Sequence, residues 1–428
     1  ALNMDPNNTV EDGGVSMQID VDYDGFALTS ITAQRRNDQT WIHDIDYTSL
    51  DIIRESGDIK IDTFTQELRL TSTGTNKVDW MVGAFYFKED VDAKDELYYG
   101  DAIRNYFDTL FAAGGAAGLI GAIEPLYGLA PGSFFSDDTD IATQFTQANT
   151  AYSIFGNFDY HVTDDFTATL GLSYTNDEKD ITVAQQNNST LSAIDFGSTP
   201  TVYGVPIGLT PAAAAAGPLS SVQFMPPMLE MPNSVEDGKS SDGKTTWSLR
   251  LAYELNNNVN LFATAATGFK ATSWNLSRDT RPFPMDQSAL ESAGLNQPNQ
   301  SYGGRYASPE EATVYELGMK ARFKKGAFNV TLFDQTINGF QSSIFVGTGF
   351  VLANAGKQST QGIEFDSVYS PTENWTLSLA GTFLDPVYDS FVNGSGVDGP
   401  INLSGEKPAG IHEQSITAGL TYNFELAN

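Results

Sequence analysis

Residues 238–245 read Gly-Lys-Ser-Ser-Asp-Gly-Lys-Thr, a formal match to the phosphate-cradling pattern G-x-x-x-x-G-K-[ST]. That chemistry needs a buried strand before the loop and a helix after it, so that backbone N–H groups converge on phosphate. Here Pro226, Pro227 and Pro232 precede the match and an alternating strand pattern follows from Thr246, so nucleotide binding does not follow. Asp20, Asp22, Asp24 and Gly25 imitate the start of a calcium loop, but its twelfth position is Ile31 where a bidentate Glu is required. Asp20 and Asp22 fall instead on the polar side of an alternating run, and Asp24-Gly25 is a good hairpin turn. The three histidines, His43, His161 and His412, sit in separate segments without metal-ligand spacing. Carboxylates abound, yet no pair is singled out for hydrolytic work. With no cysteine in the chain, thiol catalysis, disulfides and Cys-ligated metals are excluded. The expectation is no catalytic residue, no metal site and no cofactor.

Two segments keep a chemical signal of another kind. One carries Tyr98, Tyr99, Arg104 and Tyr106, and the other carries Trp274, Arg278, Arg281, Tyr302, Arg305 and Tyr306. Aromatic rings with guanidinium groups can stack on sugar or catecholate rings and hydrogen-bond their polar edges. The same residues can equally pack long loops together, and the sequence leaves both readings open.

The elements that must position them read as strands. The chain has 428 residues, of which 54 are acidic and 23 basic, giving a formal charge of −31, which argues against a phosphate-backbone partner and hence against nucleic acid. No apolar stretch reaches the roughly 18–20 residues of a membrane-crossing helix. The N-terminus, Ala1-Leu2-Asn3-Met4-Asp5, lacks the pattern of a secretory signal, as expected if a signal was removed or if the chain starts within a longer one. Period-two alternation recurs instead: Trp247, Leu249, Leu251, Tyr253 and Leu255 fall on one side of their run, with Thr246, Ser248, Arg250, Ala252 and Glu254 on the other. The runs at 15–23 and 416–424 behave alike, and there are about thirteen such runs in all.

Tight turns at 24–25, 73–76, 163–165, 256–258, 325–326 and 371–374 alternate with extended connections at roughly 37–58, 91–141, 181–243, 275–309, 340–350 and 392–410. This order produces an up-and-down sheet with short turns at one end and long loops at the other, the plan of a transmembrane barrel. Aromatics flank the short turns, among them Tyr23, Phe26, Tyr160, Phe166, Tyr253, Phe323, Phe328, Tyr369 and Trp375. Rings at one level suit a membrane–water interface, although they would also plug the base of a soluble barrel. The Ala/Gly-rich stretches 112–132 and 211–217 read as short helices lying over the mouth.

Several stretches resemble the barrel portion of TonB-dependent outer-membrane transporters. They are Phe64-Thr65-Gln66-Glu67-Leu68-Arg69-Leu70 with Trp80 to Phe87, Gly171 to Glu178, Leu261 to Lys270, Pro309 to Lys320, Asn354-Ala355-Gly356-Lys357 leading to Gly362-Ile363-Glu364, and Leu403 to Gly410. Departures include Ser173 where these barrels often carry Arg, Ala271-Thr272-Ser273 where they are richer in glycine, and His412 where Pro is common. The resemblance implies an all-β, antiparallel, transmembrane barrel of 22 strands around a plug, residues 1–428 being a partial barrel of about thirteen strands without the plug or the C-terminal strands. It further implies a non-enzymatic receptor in the outer membrane of a Gram-negative bacterium, in contact with lipid and lipopolysaccharide. Energy would reach it from the TonB–ExbB–ExbD system through a plug outside these residues, and its cargo would be a ferric siderophore complex first, an oligosaccharide second. A passive porin and a secreted β-rich carbohydrate-binding protein remain the rival classes.

Overall fold

The computed structural model describes residues 2–194 apart from 138, then 201–202, 205–206, 219, 237–276, 288, 305–345, 350–392, 394–396 and 399–424. Thirteen strands form one antiparallel sheet in which each strand is hydrogen-bonded to its neighbours in sequence. They are β1 (Asn7–Tyr23), β2 (Phe26–Asp44), β3 (Ile53–Ser72), β4 (Val78–Tyr99), β5 (Asp140–His161), β6 (Phe166–Asn187), β7 (Lys239–Asn256), β8 (Val259–Lys270), β9 (Glu310–Phe323), β10 (Gly326–Asn338), β11 (Lys357–Tyr369), β12 (Trp375–Ser390) and β13 (Gln414–Tyr422). The sheet is not closed: β1 and β13 are each paired on one side only.

Apart from Gly238, the phosphate-loop look-alike lies in β7 and continues as strand, without the helix that a phosphate cradle needs. Asp20 and Asp22 lie in β1, and Asp24-Gly25 makes the turn into β2 with Gly25 at φ 86°, a conformation that costs glycine little. All six short turns fall at one end of the meander. The first three opposite connections, 45–52, 100–139 and 188–238, are shorter than the sequence suggests, while the last three, 271–309, 339–356 and 391–413, are somewhat longer. The shortening arises because the charged stretches flanking the expected loops stay in the ladder. Residues 91–98, expected as the start of a loop, pair with both β3 and β5, taking β4 to a length of 22 residues.

Register sorts the side chains onto two faces. Toward the short-turn end, one face is apolar and open: Val82, Ala84 and Tyr86 of β4, Tyr152 and Ile154 of β5, Leu170 and Leu172 of β6, Leu249 and Leu251 of β7, and Leu317 of β9. Leu249 sits opposite Leu170 and Ala265, and Leu317 opposite Leu332, so the apolar rows run unbroken across strands. Ile154 is 66% exposed and Leu317 60%, far too open for a core. The other face carries Thr29, Glu67, Arg69, Ser153, Ser173, Arg250, Glu316, Lys320 and Glu364. Greasy exposed flank and polar flank alternate because side chains in a strand point to opposite sides.

The apolar band on β4 runs from Val78 to Tyr86, beyond which Lys88 and Asp90 pair as ions. At about 3.3 Å per residue and a tilt near 40°, that is roughly 20–25 Å of height, the thickness of a transmembrane barrel's hydrocarbon belt. Two aromatic girdles bound it. The lower, anticipated in the sequence, has Tyr160, Tyr253, Phe323, Tyr369, Trp375 and Tyr422, all exposed. The upper was not anticipated: Tyr86 faces Tyr152 directly across β4 and β5, with Tyr174, Trp247 and Tyr315 also exposed. A soluble barrel plugged by aromatics has no use for a second outward ring, whereas a bilayer has two interfaces.

Leu249→Arg places a charge mid-band and should cost about 2–4 kcal/mol of folded stability in lipid. Thr246→Arg, on the polar face, should be tolerated. Outer-membrane assembly and heat-modifiable gel migration of the two variants check the assignment, and equal behaviour would contradict it.

Candidate ligand-binding site

Above the belt the chemistry of the two faces changes. On the polar face, Ile59, Ala93, Phe145 and Val183 line up as one cross-strand row over β3 to β6, and Ile61, Val91, Gln147 and Ile181 form the next. Val91, Ala93, Phe145, Ile181 and Val183 are buried, forming a dry patch directly above the row Thr63, Glu89, Asn149 and Lys179. Trp274 closes this patch. It lies in a two-stranded ribbon, Ser273–Trp274 with Tyr306–Ala307, at the base of the connection between β8 and β9. Its indole Nε1 donates to Ser240 Oγ of β7 at 3.1 Å, and it packs in one cluster with the patch and Leu276. The Tyr306 ring lies 5.2 Å from it at 50° and is 41% exposed.

The connection between β4 and β5 builds a second cluster. Helix α1 (Ile103–Ala113) turns Ile103, Phe107 and Phe111 inward at four-residue spacing, so one stripe meets the sheet. These pack with Leu97, Tyr99 and Ile141 of the strand ends and with Ile120 and Ile123 of the short helix α2 (Leu119–Ile123). The stretch expected to be helical from residue 112 is thus partly so, but the main helix begins earlier. Arg104 is its clasp. Its guanidinium donates to Glu124 Oε1 at 2.6 Å, Asp108 Oδ2 at 3.1 Å and the Phe134 carbonyl at 2.9 Å. Glu124 is fully buried and accepts further from the Phe134 and Gly132 N–H groups. Burial by itself raises the Glu124 pKa, but Arg104 and the two N–H donors outweigh it, and the carboxyl is held below the ordinary glutamate value.

The ten residues marked out in the sequence therefore separate. Tyr99 is buried in the helical cluster, where desolvation pushes its phenol pKa up. Arg104 is spent on Glu124. Tyr106 is exposed on α1, edge-on to Phe107. Tyr98 sits on the outward face, its ring 5.6 Å beneath the Arg54 guanidinium. Trp274 and Tyr306 form the ribbon pair, and Arg305 beside them is fully buried, its carbonyl accepting from Asn275 N–H. Arg278, Arg281 and Tyr302 lie outside the described residues. Sequence reading missed Tyr47, which is 78% exposed at φ 55° in the 45–52 connection. Its backbone is fixed by Asp44, whose carboxylate accepts the Asp46 and Tyr47 N–H groups, and by Asp46, which accepts from Ile52 and Ile53. The Asp-Ile-Asp-Tyr sequence is the only local signal for this turn. His161 bonds Asp79 Oδ2 at 2.8 Å and Thr167 at 3.2 Å, a structural contact beside a short turn.

A thirteen-strand meander with an exposed apolar belt, a polar flank and a covered aromatic end is the plan of a transmembrane barrel wall. The chain matches the family model described as TonB dependent receptor-like, beta-barrel, over residues 3–428. It belongs to the TonB-dependent receptor family. The fold is similar to that of the ferric yersiniabactin uptake receptor FyuA from Yersinia pestis, with a TM-score of 0.62 and 12% identity over 98% of this chain and 48% of that one. It is similar also to the siderophore receptor PiuA from Acinetobacter baumannii, with a TM-score of 0.57 and 15% identity over 97% and 52% of the two chains. A copper transporter, OprC, shares it at a TM-score of 0.54 and 12% identity over 90% and 48%. The chain spans about half the length of these solved structures. At such identities the likeness carries the receptor barrel fold and says nothing of cargo.

Because the Glu124 pKa is lowered on folding, its contribution to stability is present above the free glutamate value near ~4.3 and is lost as pH falls through the folded value. Hydrogen exchange over residues 103–135, corrected for intrinsic rate, should therefore rise between about pH 5 and pH 3 while the belt strands stay protected. Glu124→Ala, which leaves buried N–H donors without an acceptor, should cost about 1–3 kcal/mol of that local stability at neutral pH.

Proposed function

We propose that the chain forms the barrel wall of an outer-membrane receptor of a Gram-negative bacterium, which imports a ferric siderophore complex using energy supplied through TonB, ExbB and ExbD. The observation that carries this reading is the family match over almost the whole chain, joined to an exposed apolar belt between two aromatic girdles. Family and fold relatives are receptors and transporters, which supports a non-enzymatic role. The polar flank then faces a lumen occupied by a plug from outside these residues. Outer-membrane lipid and lipopolysaccharide touch the other flank.

Iron complexes come first as cargo because two of the fold relatives are receptors for such complexes. Tyr306, Tyr106 and Trp274 are the proposed ligand-contacting set, with Arg278, Arg281 and Tyr302 from outside the described residues, whereas Tyr98 faces outward and Arg305 is fully buried, which takes both out of the set. Rings of this kind stack on catecholates, and they stack equally on sugars, so an oligosaccharide is the second cargo.

A strain lacking the gene should lose growth on one ferric chelate as sole iron source and regain it on complementation. Purified full-length receptor should bind that chelate, with Tyr306→Ala weakening binding by about 1–2 kcal/mol, the scale of one stacked ring. Unimpaired growth on every iron chelate, combined with lost growth on an oligosaccharide, would move the cargo to the glycan class.

A further inference from the structure

The sequence stretches 271–273, 309–310 and 354–357 meet at one point above the belt. Gln341, at the first residue of the hairpin Gln341–Phe345/Phe350–Asn354, is buried there with its side-chain amide engaged on both ends. Its Oε1 accepts from Ser273 Oγ at 2.6 Å, and its Nε2 donates to the Ala271 carbonyl at 2.9 Å and the Ser308 carbonyl at 3.0 Å. Its backbone N–H donates to Glu310 Oε2 at 2.7 Å. Asn354, at the far end of the same hairpin, accepts from Ser308 N–H at 2.7 Å and donates to the carbonyls of Ser308 at 2.8 Å and Gly339 at 2.6 Å.

Two outer connections are thus knitted by two amides. The β8–β9 and β9–β10 ladders end just below this point, at Lys270 opposite Glu310 and Glu311 opposite Asn338, while pairing between β7 and β8 stops earlier, at Ser248 opposite Ala266. Beyond it, β7 is tied to the ribbon region by side chains, with Thr267 Oγ1 accepting from Trp247 N–H, Asp242 accepting from Thr272 N–H, Ser240 accepting from Trp274 and Lys244 paired with Glu311. The ribbon bearing Trp274 and Tyr306 has one short ladder of its own, and its orientation depends on these polar contacts.

We propose that Gln341, seconded by Asn354, is a positioning residue for ligand capture: it ties the segments 271–276, 305–310 and 339–345 to one another and so holds the Trp274–Tyr306 pair at the mouth. The inference rests on the transporter reading for its consequence in uptake, but not for the mechanical link itself. A buried amide that reaches from one segment and bonds two others specifies one arrangement of the three, and truncating it leaves the Ser273 hydroxyl and the Ala271 and Ser308 carbonyls without that partner.

Two measurements on the full-length receptor test it. In Gln341→Ala, hydrogen exchange should speed up together at 271–276, 305–308 and 339–356, with β8 and β9 unchanged. Loosening confined to the hairpin 341–354 would overturn the link. For uptake of the iron(III) complex of 2,3-dihydroxybenzoate, Gln341→Ala should raise KM about tenfold at unchanged maximal rate per folded receptor. Because both residues act through the same ring pair, Gln341→Ala combined with Trp274→Ala should be no worse than the poorer single variant. Fully additive losses, or a fall in receptor amount with KM unchanged, would overturn the positioning role. If wild-type receptor takes up no iron complex, the cargo reading fails, while coupled exchange across the three segments still sustains the link and uncoupled exchange still removes it.

Discussion

Hydrocarbon offers no hydrogen bonds, so every backbone N–H and C=O at membrane depth must find a partner within the protein. The meander meets this demand by pairing each strand with its neighbours in sequence along the full belt. It also makes register unforgiving. A slip of one residue in β7 would turn Leu249 and Leu251 to the lumen and Arg250 and Ser248 to lipid. The same demand explains why β1 and β13, each with one unpaired edge, cannot be the two ends of a free-standing wall in a bilayer. In the proposed reading, strands beyond these thirteen pair those edges. Solved relatives about twice as long as this chain have room for such strands.

Above the belt that constraint relaxes, because water can pair with the backbone, and the wall spends its freedom on function. Strands β2 to β6 continue upward with ion pairs on the outward side, such as Lys94 with Glu96. Inward, the lining changes from polar to apolar over one cross-strand step, from Glu89 and Asn149 to Val91, Ala93 and Phe145. A dry inner surface outside the membrane has to be covered, and Trp274 covers it on one side while α1 covers the neighbouring strand ends. The two covers are held by polar clasps, Arg104 with Glu124 in one and Gln341 with Asn354 in the other, because isolated ribbons and short helices carry too little apolar area to fix themselves.

The belt was legible in the sequence because lipid and lumen impose opposite polarity on alternate residues. Runs such as 246–255 could be read as strand, with the correct greasy side, from one segment alone. The strand tops were not legible for the same reason reversed. Residues 91–98, Val-Asp-Ala-Lys-Asp-Glu-Leu-Tyr, face water outward and a mixed lining inward, so alternation weakens and charge density imitates a loop. The upper aromatic girdle was hidden likewise, since Tyr86 and Tyr152 become a girdle only once register sets them side by side. Of the aromatic and arginine residues marked for ligand contact, type and crowding could be read, but not direction. Nothing in the sequence distinguishes Tyr98, turned outward under Arg54, from Tyr99, one residue on and buried.

If the cargo is the proposed iron complex, the acidic surplus bears on how the mouth can hold it. Iron(III) bound by several catecholates is a net anion, and a chain at −31 repels it at long range. At physiological salt, however, charges farther than about 8 Å are largely screened. Capture is therefore decided by the few groups within reach, where ring stacking and guanidinium contacts act at full strength. Some of the outward carboxylates are paired with neighbouring lysines or arginines, as in Lys88 with Asp90 and Arg36 with Asp38, which trims the local field there. A receptor built this way relies on placing its aromatic pair correctly more than on drawing the ligand in. Under the proposed cargo, rigid polar clasps at the base of the Trp274–Tyr306 ribbon would therefore carry more weight for uptake than the sign of the net charge.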